Sequence, residues 1–325
     1  MVRNVAVLWV CLVAGPLYAA DTDGLELLKR MSEAMQMNNY SGTFIYRHKD
    51  KVETLKIVHG YTSDGIKERL ITLSGKPREI LRSDSVVTCI WPENRRVLVD
   101  KSRPGSNFPG LVPNDPAKLS AHYSVSVQDK LERIADRDCR VVDVKPKDEY
   151  RYGYRVWIDN ETFLLVRSDL LNENNEPVEQ VMFTELIVHE DVPVEALKPE
   201  FEVDDGFRRR ESDDLANIMD TDKARWHSTD PPSGFSMQTW KKRISKNGNT
   251  TVEQLVYSDG LASVSVFIEP NKNEKMLSGS RRRGALNIYG KVFNDHHITV
   301  VGEVPGQTVK QIAESVELKP EYQEK

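Results

Sequence analysis

The sequence predicts a mainly β chain of the α+β class: a large antiparallel sheet with helices, then a smaller antiparallel sheet packed on one helix. Three observations predict it. Segments of alternating apolar and polar residues follow one another with almost no helical periodicity between them, which is the pattern of antiparallel sheets. Turn-forming clusters such as Ser63-Asp64-Gly65, Ser74-Gly75-Lys76-Pro77 and Asn172 to Asn175 separate these segments. A well-formed amphipathic helical pattern occurs near each end of the chain.

The first twenty residues read as an export signal and stand apart from the fold. Arg3 supplies the positive start, and Val5 to Tyr18 form an apolar run too short for a stable membrane anchor. Ala19-Ala20-Asp21 offers small residues for cleavage, and Leu8-Trp9-Val10 lacks those that would mark Cys11 for lipidation. Loss of Arg3 takes the formal net charge from −5 to −6, which argues against a nucleic-acid partner. About 305 residues remain, more than one core normally holds, so two domains are expected.

Leu25 to Met37 forms the first predicted helix, with Leu28, Met31 and Met35 on one face. Strands are predicted at Tyr40–His48, Thr54–Gly60, Lys67–Leu73, Arg78–Ser83, Val86–Trp91 and Val97–Asp100. After them come Arg140–Lys145, Tyr154–Asp159, Leu164–Leu171 and Glu179–Val188. Ser102 to Pro116, with four prolines and two glycines, reads as a long loop, and Lys118–Ser124 as a short helix. Residues 21–204 thus make the large domain and residues 205–232, polar and turn-rich, a linker with a short helix near Leu215 to Met219.

Residues 233–320 make the small domain. Its predicted strands are Phe235–Ile244, Thr251–Ser258, Ala262–Glu269, Gly284–Phe293 and His296–Glu303, with turns at Asp259-Gly260 and Asn294-Asp295. Thr308 and Gln311 have the spacing of a capping box, and Val309, Ile312, Ala313 and Val316 form the apolar stripe of the closing helix.

Catalytic patterns are missing: there is no nucleophile elbow, phosphate-cradling loop, dinucleotide glycine pattern or zinc helix. His296-His297 point to opposite faces of a strand and are poorly placed to share an ion. No enzyme activity, metal or cofactor is therefore expected. Cys89 and Cys139 would pair as one disulfide in an oxidising compartment, although two buried free thiols account for them equally well.

One stretch stands out: Tyr150-Arg-Tyr-Gly-Tyr-Arg-Val-Trp-Ile-Asp159. Read as a strand, it puts Tyr150, Tyr152, Tyr154, Val156 and Ile158 on one face and Arg151, Arg155, Trp157 and Asp159 on the other. Two arginines and an aspartate on one face predict a wetter side, because unpaired buried charge is costly. With Tyr40-Ser-Gly-Thr-Phe-Ile-Tyr46, Gly75 to Arg82, Ser258 to Glu269 and Gly302-Glu-Val-Pro305, this stretch resembles the RseB/MucB family, periplasmic negative regulators of sigma-E type envelope-stress factors. The resemblance runs from about residue 25 to about 318.

That resemblance implies a large domain like the lipoprotein carriers LolA and LolB: an antiparallel open half-barrel covered by helices, with an apolar cavity. Candidate lipid-contacting residues are then Phe44, Tyr46, Leu81, Ile90, Tyr150, Tyr152, Tyr154, Phe163, Leu165 and Phe183, any of which would serve equally as sheet core. It also implies a partner, the periplasmic domain of a membrane-embedded anti-sigma factor of the RseA/MucA type. The protein would shield that partner from site-1 proteolysis and release it on sensing lipopolysaccharide or lipoprotein acyl chains. Pro270 to Gly284, carrying Lys272, Lys275, Arg281, Arg282 and Arg283, reads as an overlong basic loop for docking an acidic group, or as a solvated loop. A periplasmic lipid carrier without a regulatory partner is the alternative, and a homo-oligomer is compatible with both.

Overall fold

The structure is a computed structural model that describes residues 17–83, 86–101, 116–211, 221–244, 251–271 and 278–322. Helix α1 (Leu17–Met37) starts earlier than its apolar pattern predicts and ends where Asn38 donates its backbone N–H to the Ala34 carbonyl. Its buried face carries Leu27, Leu28, Met31 and Met35. Each such side chain contributes about 1.5–3 kcal/mol on burial.

The large sheet begins with a meander of β1 (Asn39–His48), β2 (Lys51–Thr62), β3 (Gly65–Thr72), β4 (Glu79–Ser83), β5 (Val86–Trp91) and β6 (Arg96–Lys101). The expected loop at 102–115 lies outside the described residues, and the short helix after it is a 3-10 turn at Pro116–Ala121. A second run follows: β7 (Tyr123–Val127), β8 (Glu132–Ile134), β9 (Arg137–Pro146), β10 (Gly153–Asp159), β11 (Leu165–Leu171) and β12 (Pro177–His189). Strand β1 pairs with both β2 and β12, so the two runs join, with β13 (Arg208–Glu211), into one sheet ordered β13-β6-β5-β4-β3-β2-β1-β12-β11-β10-β9-β7, with β8 on β9. The end strands β7 and β13 do not pair with each other among the described residues, so the sheet stays open as the fold class requires.

Strand β13 (Arg208–Glu211) comes from the segment expected to be linker, and it lies parallel to β6. The expectation of a purely antiparallel sheet fails at this one pair. Past residues 212–220, which include the expected helix near Leu215 and are not described, β14 (Trp226–Ser228) pairs with β21 (Val316–Leu318). Trp226 is fully buried in the small-domain core. The segment 205–232 is thus partly built into both domains: local polarity hid the reach of one tryptophan.

The small domain is a six-stranded sheet ordered β15 (Ser236–Ile244), β16 (Thr251–Ser258), β17 (Ser263–Pro270), β20 (His296–Gly302), β19 (Leu286–Phe293) and β18 (Gly279–Arg283). Asn294 and Asp295 both take positive φ, as a tight β19–β20 turn requires. Helix α2 (Gly306–Glu314) covers one sheet face, packing Val309, Ile312 and Ala313 against Val264, Val266, Ile298 and Val300. It starts after Pro305 with no side-chain cap, so the capping-box reading fails. The Thr308 hydroxyl donates instead to the Tyr150 carbonyl of the large domain, at 2.6 Å.

Candidate functional site

One face of the large sheet is shared between two covers. Helix α1 lies over the end carrying Tyr40 and Phe44, where His59 reaches the Gln36 carbonyl at 3.2 Å. The small domain lies over the other end. Cross-strand register places Phe44 opposite Leu55, Tyr46 opposite Val181 and Tyr154 opposite Leu170, all on this face. Facing them, Ser265 sits opposite Val301, with Leu286 on the same side, on the small-sheet face that α2 leaves uncovered. Between the two walls is a cavity of about 600 Å³.

The cavity is apolar over most of its wall and acidic at one end. Glu179 and Glu303 line it, one from each domain, and His48 forms a close hydrogen bond to Glu179 through Nδ1. Desolvation of the carboxyl at the cavity wall, then the neighbouring Glu179 charge, raises Glu303 above its ordinary value although the residue as a whole stays exposed, and His48 acts against this. The Tyr46 and Tyr154 hydroxyls are pushed well up, chiefly by burial, and stay protonated. These groups can donate hydrogen bonds to a ligand but cannot act as bases.

The tyrosine-rich stretch divides between cavity and seam. Strand β10 starts only at Gly153, so Tyr150, Arg151 and Tyr152 fall outside it. Arg151, expected on a wet face, has no exposed side-chain surface. Its Nη1 donates to Asp259 of the small domain at 2.8 Å, its Nε to Asp148 at 3.0 Å and its Nη2 to the Ser233 carbonyl at 2.6 Å. The Tyr123 hydroxyl donates to the same Asp259 oxygen. Of the rest of the predicted wet face, Arg155 keeps a partly exposed side chain paired with Asp143, as expected, but the next two residues on that face do not. Trp157 and Asp159 are buried, the indole N–H bonding Glu132 and the carboxylate pairing with Arg137. The rule that buried charge needs a partner holds; the partners come from distant segments.

Of the ten candidate lipid-contacting residues, only Phe44, Tyr46 and Tyr154 line the cavity. Tyr152 is buried at the seam, accepting a hydrogen bond from Asn287, and Tyr150 gives its carbonyl to Thr308. Leu165 and Phe183 belong to the core under α1, with Phe163 packed at its margin beneath the Arg30 guanidinium. Leu81 and Ile90 sit in a separate apolar cluster with Val97 and Val99. The sequence reading missed Leu55, Leu70, Leu170 and Val181, and the whole small-domain wall. Period-2 alternation marks these residues as facing inward but not what they face.

Arg281, Arg282 and Arg283 lie on strand β18, exposed, and not on an overlong loop; Lys272 and Lys275 lie outside the described residues. The disulfide expectation is corrected as well. Cys89 on β5 and Cys139 on β9 are free thiols, eight strand steps apart in the sheet order. Neighbouring strands are about 4.8 Å apart, whereas a disulfide needs Cα atoms within roughly 7 Å. Among the described residues no group of three or more His, Cys, Asp or Glu could hold a metal, and no helix is long and apolar enough to cross a membrane.

An open sheet roofed by a helix and a second domain, around an apolar cavity with few convergent polar groups, is the build of a two-domain binding protein. The chain belongs to the MucB/RseB family: the family's N-terminal domain matches residues 23–201 and its C-terminal domain residues 220–317. A Salmonella typhimurium relative, sigma-E factor regulatory protein RseB, is 30% identical over 96% of this chain and 98% of its own. The Pseudomonas aeruginosa sigma factor AlgU regulatory protein MucB is 31% identical over 90% of each chain. The crystal structure of MucB in complex with MucA(peri) superposes with a TM-score of 0.71 at 27% identity, covering 91% of this chain and 99% of that one.

Proposed function

We propose that the protein is a periplasmic regulator that binds the periplasmic region of a membrane-embedded anti-sigma factor of the RseA/MucA type. The observation that carries this reading is the match, over nine-tenths of the chain, to MucB crystallised with MucA(peri). Bound in this way, the protein shields the anti-sigma factor from site-1 proteolysis and keeps the sigma factor inactive. Filling of the cavity by the acyl chains of lipopolysaccharide or lipoprotein releases the partner. Two features support the lipid step. Acyl burial contributes about 0.8 kcal/mol per methylene, and the cavity walls come from both domains, so a ligand there biases how the domains meet. Release further requires that lipid favour the unpartnered state, since a ligand with equal affinity for both states shifts nothing.

A carrier without a regulatory partner would need only the large domain, and a cavity half-walled by the small domain weighs against it. The test is a titration of the mature protein with its cognate anti-sigma periplasmic segment, alone and with lysophospholipid or lipid A. Saturable binding that lipid weakens is the expected result. No binding of the segment would remove the regulator reading, and binding indifferent to lipid would remove the lipid step.

A further inference from the structure

Strand β18 is the last strand of the small sheet and, among the described residues, pairs with β19 alone. The hairpin closes through Gly284-Ala285, with Gly284 at φ 70°, and Arg283 lies opposite Leu286. In such a two-residue turn the flanking pair exchanges hydrogen bonds, and bonding then alternates along the ladder. Arg281 and Arg283 therefore bond inward to β19, while the backbone N–H and C=O groups of Ser280 and Arg282 point away from the sheet.

This edge carries cations on both faces. Arg281 and Arg283 share the cavity-side face with Leu286, and Arg282 stands on the other. Arg281, Arg282 and Arg283 are all exposed, and the carboxylate that Arg282 approaches, Glu173, is 3.9 Å away and itself exposed. The chain as a whole carries a formal net charge of −5, so the sign of this edge is opposite to that of the chain. A second copy would set arginine against arginine, and like charges directly opposed destabilise a strand pair. An acidic strand would meet cations above and below while its backbone completes the open ladder.

We infer that β18 takes an extended, acidic segment of the anti-sigma partner as a seventh strand of the small sheet. This inference rests on the partner-binding reading above and assigns that partner a backbone-directed mode of docking. The test is hydrogen–deuterium exchange on the full mature chain, with the cognate anti-sigma periplasmic segment as the probe. Slowed exchange of the Ser280 and Arg282 amides in the complex is expected. The variant R281E/R282E/R283E, altered only at exposed positions, should bind roughly tenfold more weakly, while R281K/R282K/R283K binds nearly as wild type. Arg282→Pro, which removes an outward N–H without touching the β19 bonds, should weaken binding as well. If the segment binds but β18 exchange is unchanged and the triple glutamate variant matches wild type, the edge assignment falls while the regulator reading stands. If the segment does not bind wild type, both fall. Protection that appears with rising protein concentration and no segment would give the edge to a second copy and overturn the inference.

Discussion

Arg151 and Asp259 meet at 2.8 Å across the domain seam with both side chains fully buried. They are separated by 108 positions in the chain. The guanidinium spreads its donors over Asp259, Asp148 and the Ser233 carbonyl, and lies between the rings of Tyr123 and Phe235. The pair fixes the small domain over the cavity, so its strength bears directly on how a ligand in that cavity can alter the domain arrangement.

Breaking this pair from one side should be severe. Arg151→Ala strands the buried Asp259 carboxylate, with an expected loss of about 3–5 kcal/mol, and Asp259→Ala should cost less, because Arg151 keeps Asp148 at 3.0 Å. The double variant should lose less than the sum of the two, because it leaves neither charge stranded. Urea unfolding of the four proteins measures the coupling. Additive losses would mean that water already solvates the seam.

Glu303 predicts a pH signature. Its carboxyl, raised by desolvation first and by Glu179 second, holds a proton in the folded protein at pH values where the unfolded chain has released its own. Stability from this group is fully present below the ordinary value of 4.5 and is lost as pH rises through the raised folded value. Glu303→Gln removes the effect. The stability difference between variant and wild type should therefore grow across this window, whereas parallel curves would place Glu303 in water.

The cavity wall gives a mutational test of lipid binding. Leu286→Asp sets a third carboxylate in the space that Glu179 and Glu303 line and should weaken lysophospholipid binding by tenfold or more, about 1.4 kcal/mol. Leu81→Asp, in the separate cluster on β4, should leave that affinity unchanged if the protein stays folded. Isothermal titration with lysophospholipid compares them. Equal losses would move the site out of the interdomain cavity.

The thiols make the fourth prediction. The mature chain, denatured without reductant, should titrate two thiols, Cys89 and Cys139. In the folded protein Cys139 is buried and its thiol is pushed up to about 12, by burial first and Asp159 second. Essentially no thiolate forms there at pH 8, so alkylation should reach the half-buried Cys89 well before Cys139. Peptide mapping after a short pulse of iodoacetamide decides the order.

Much of the fold is legible residue by residue, because its causes are local. The turn at Asn294-Asp295, the apolar face of Leu28, Met31 and Met35, and the strand at Asn39–His48 follow from steric preference and side-chain periodicity over a few positions. The basic run Arg281 to Arg283 is equally visible as charge, and the RseB/MucB resemblance is carried by short blocks read in order. Tertiary structure alone decides what those pieces face. Arg151 looks like a surface residue until Asp259 reaches it, and Cys89 and Cys139 look like a pair until the sheet order sets them eight strands apart. Trp226 turns linker into core, and the cavity exists only because two sheets from different domains turn their half-buried faces toward one another. Propensity and alternation act through neighbours along the chain, whereas pairing partners, burial of charge and cavity walls depend on which distant segments packing brings within a few ångströms.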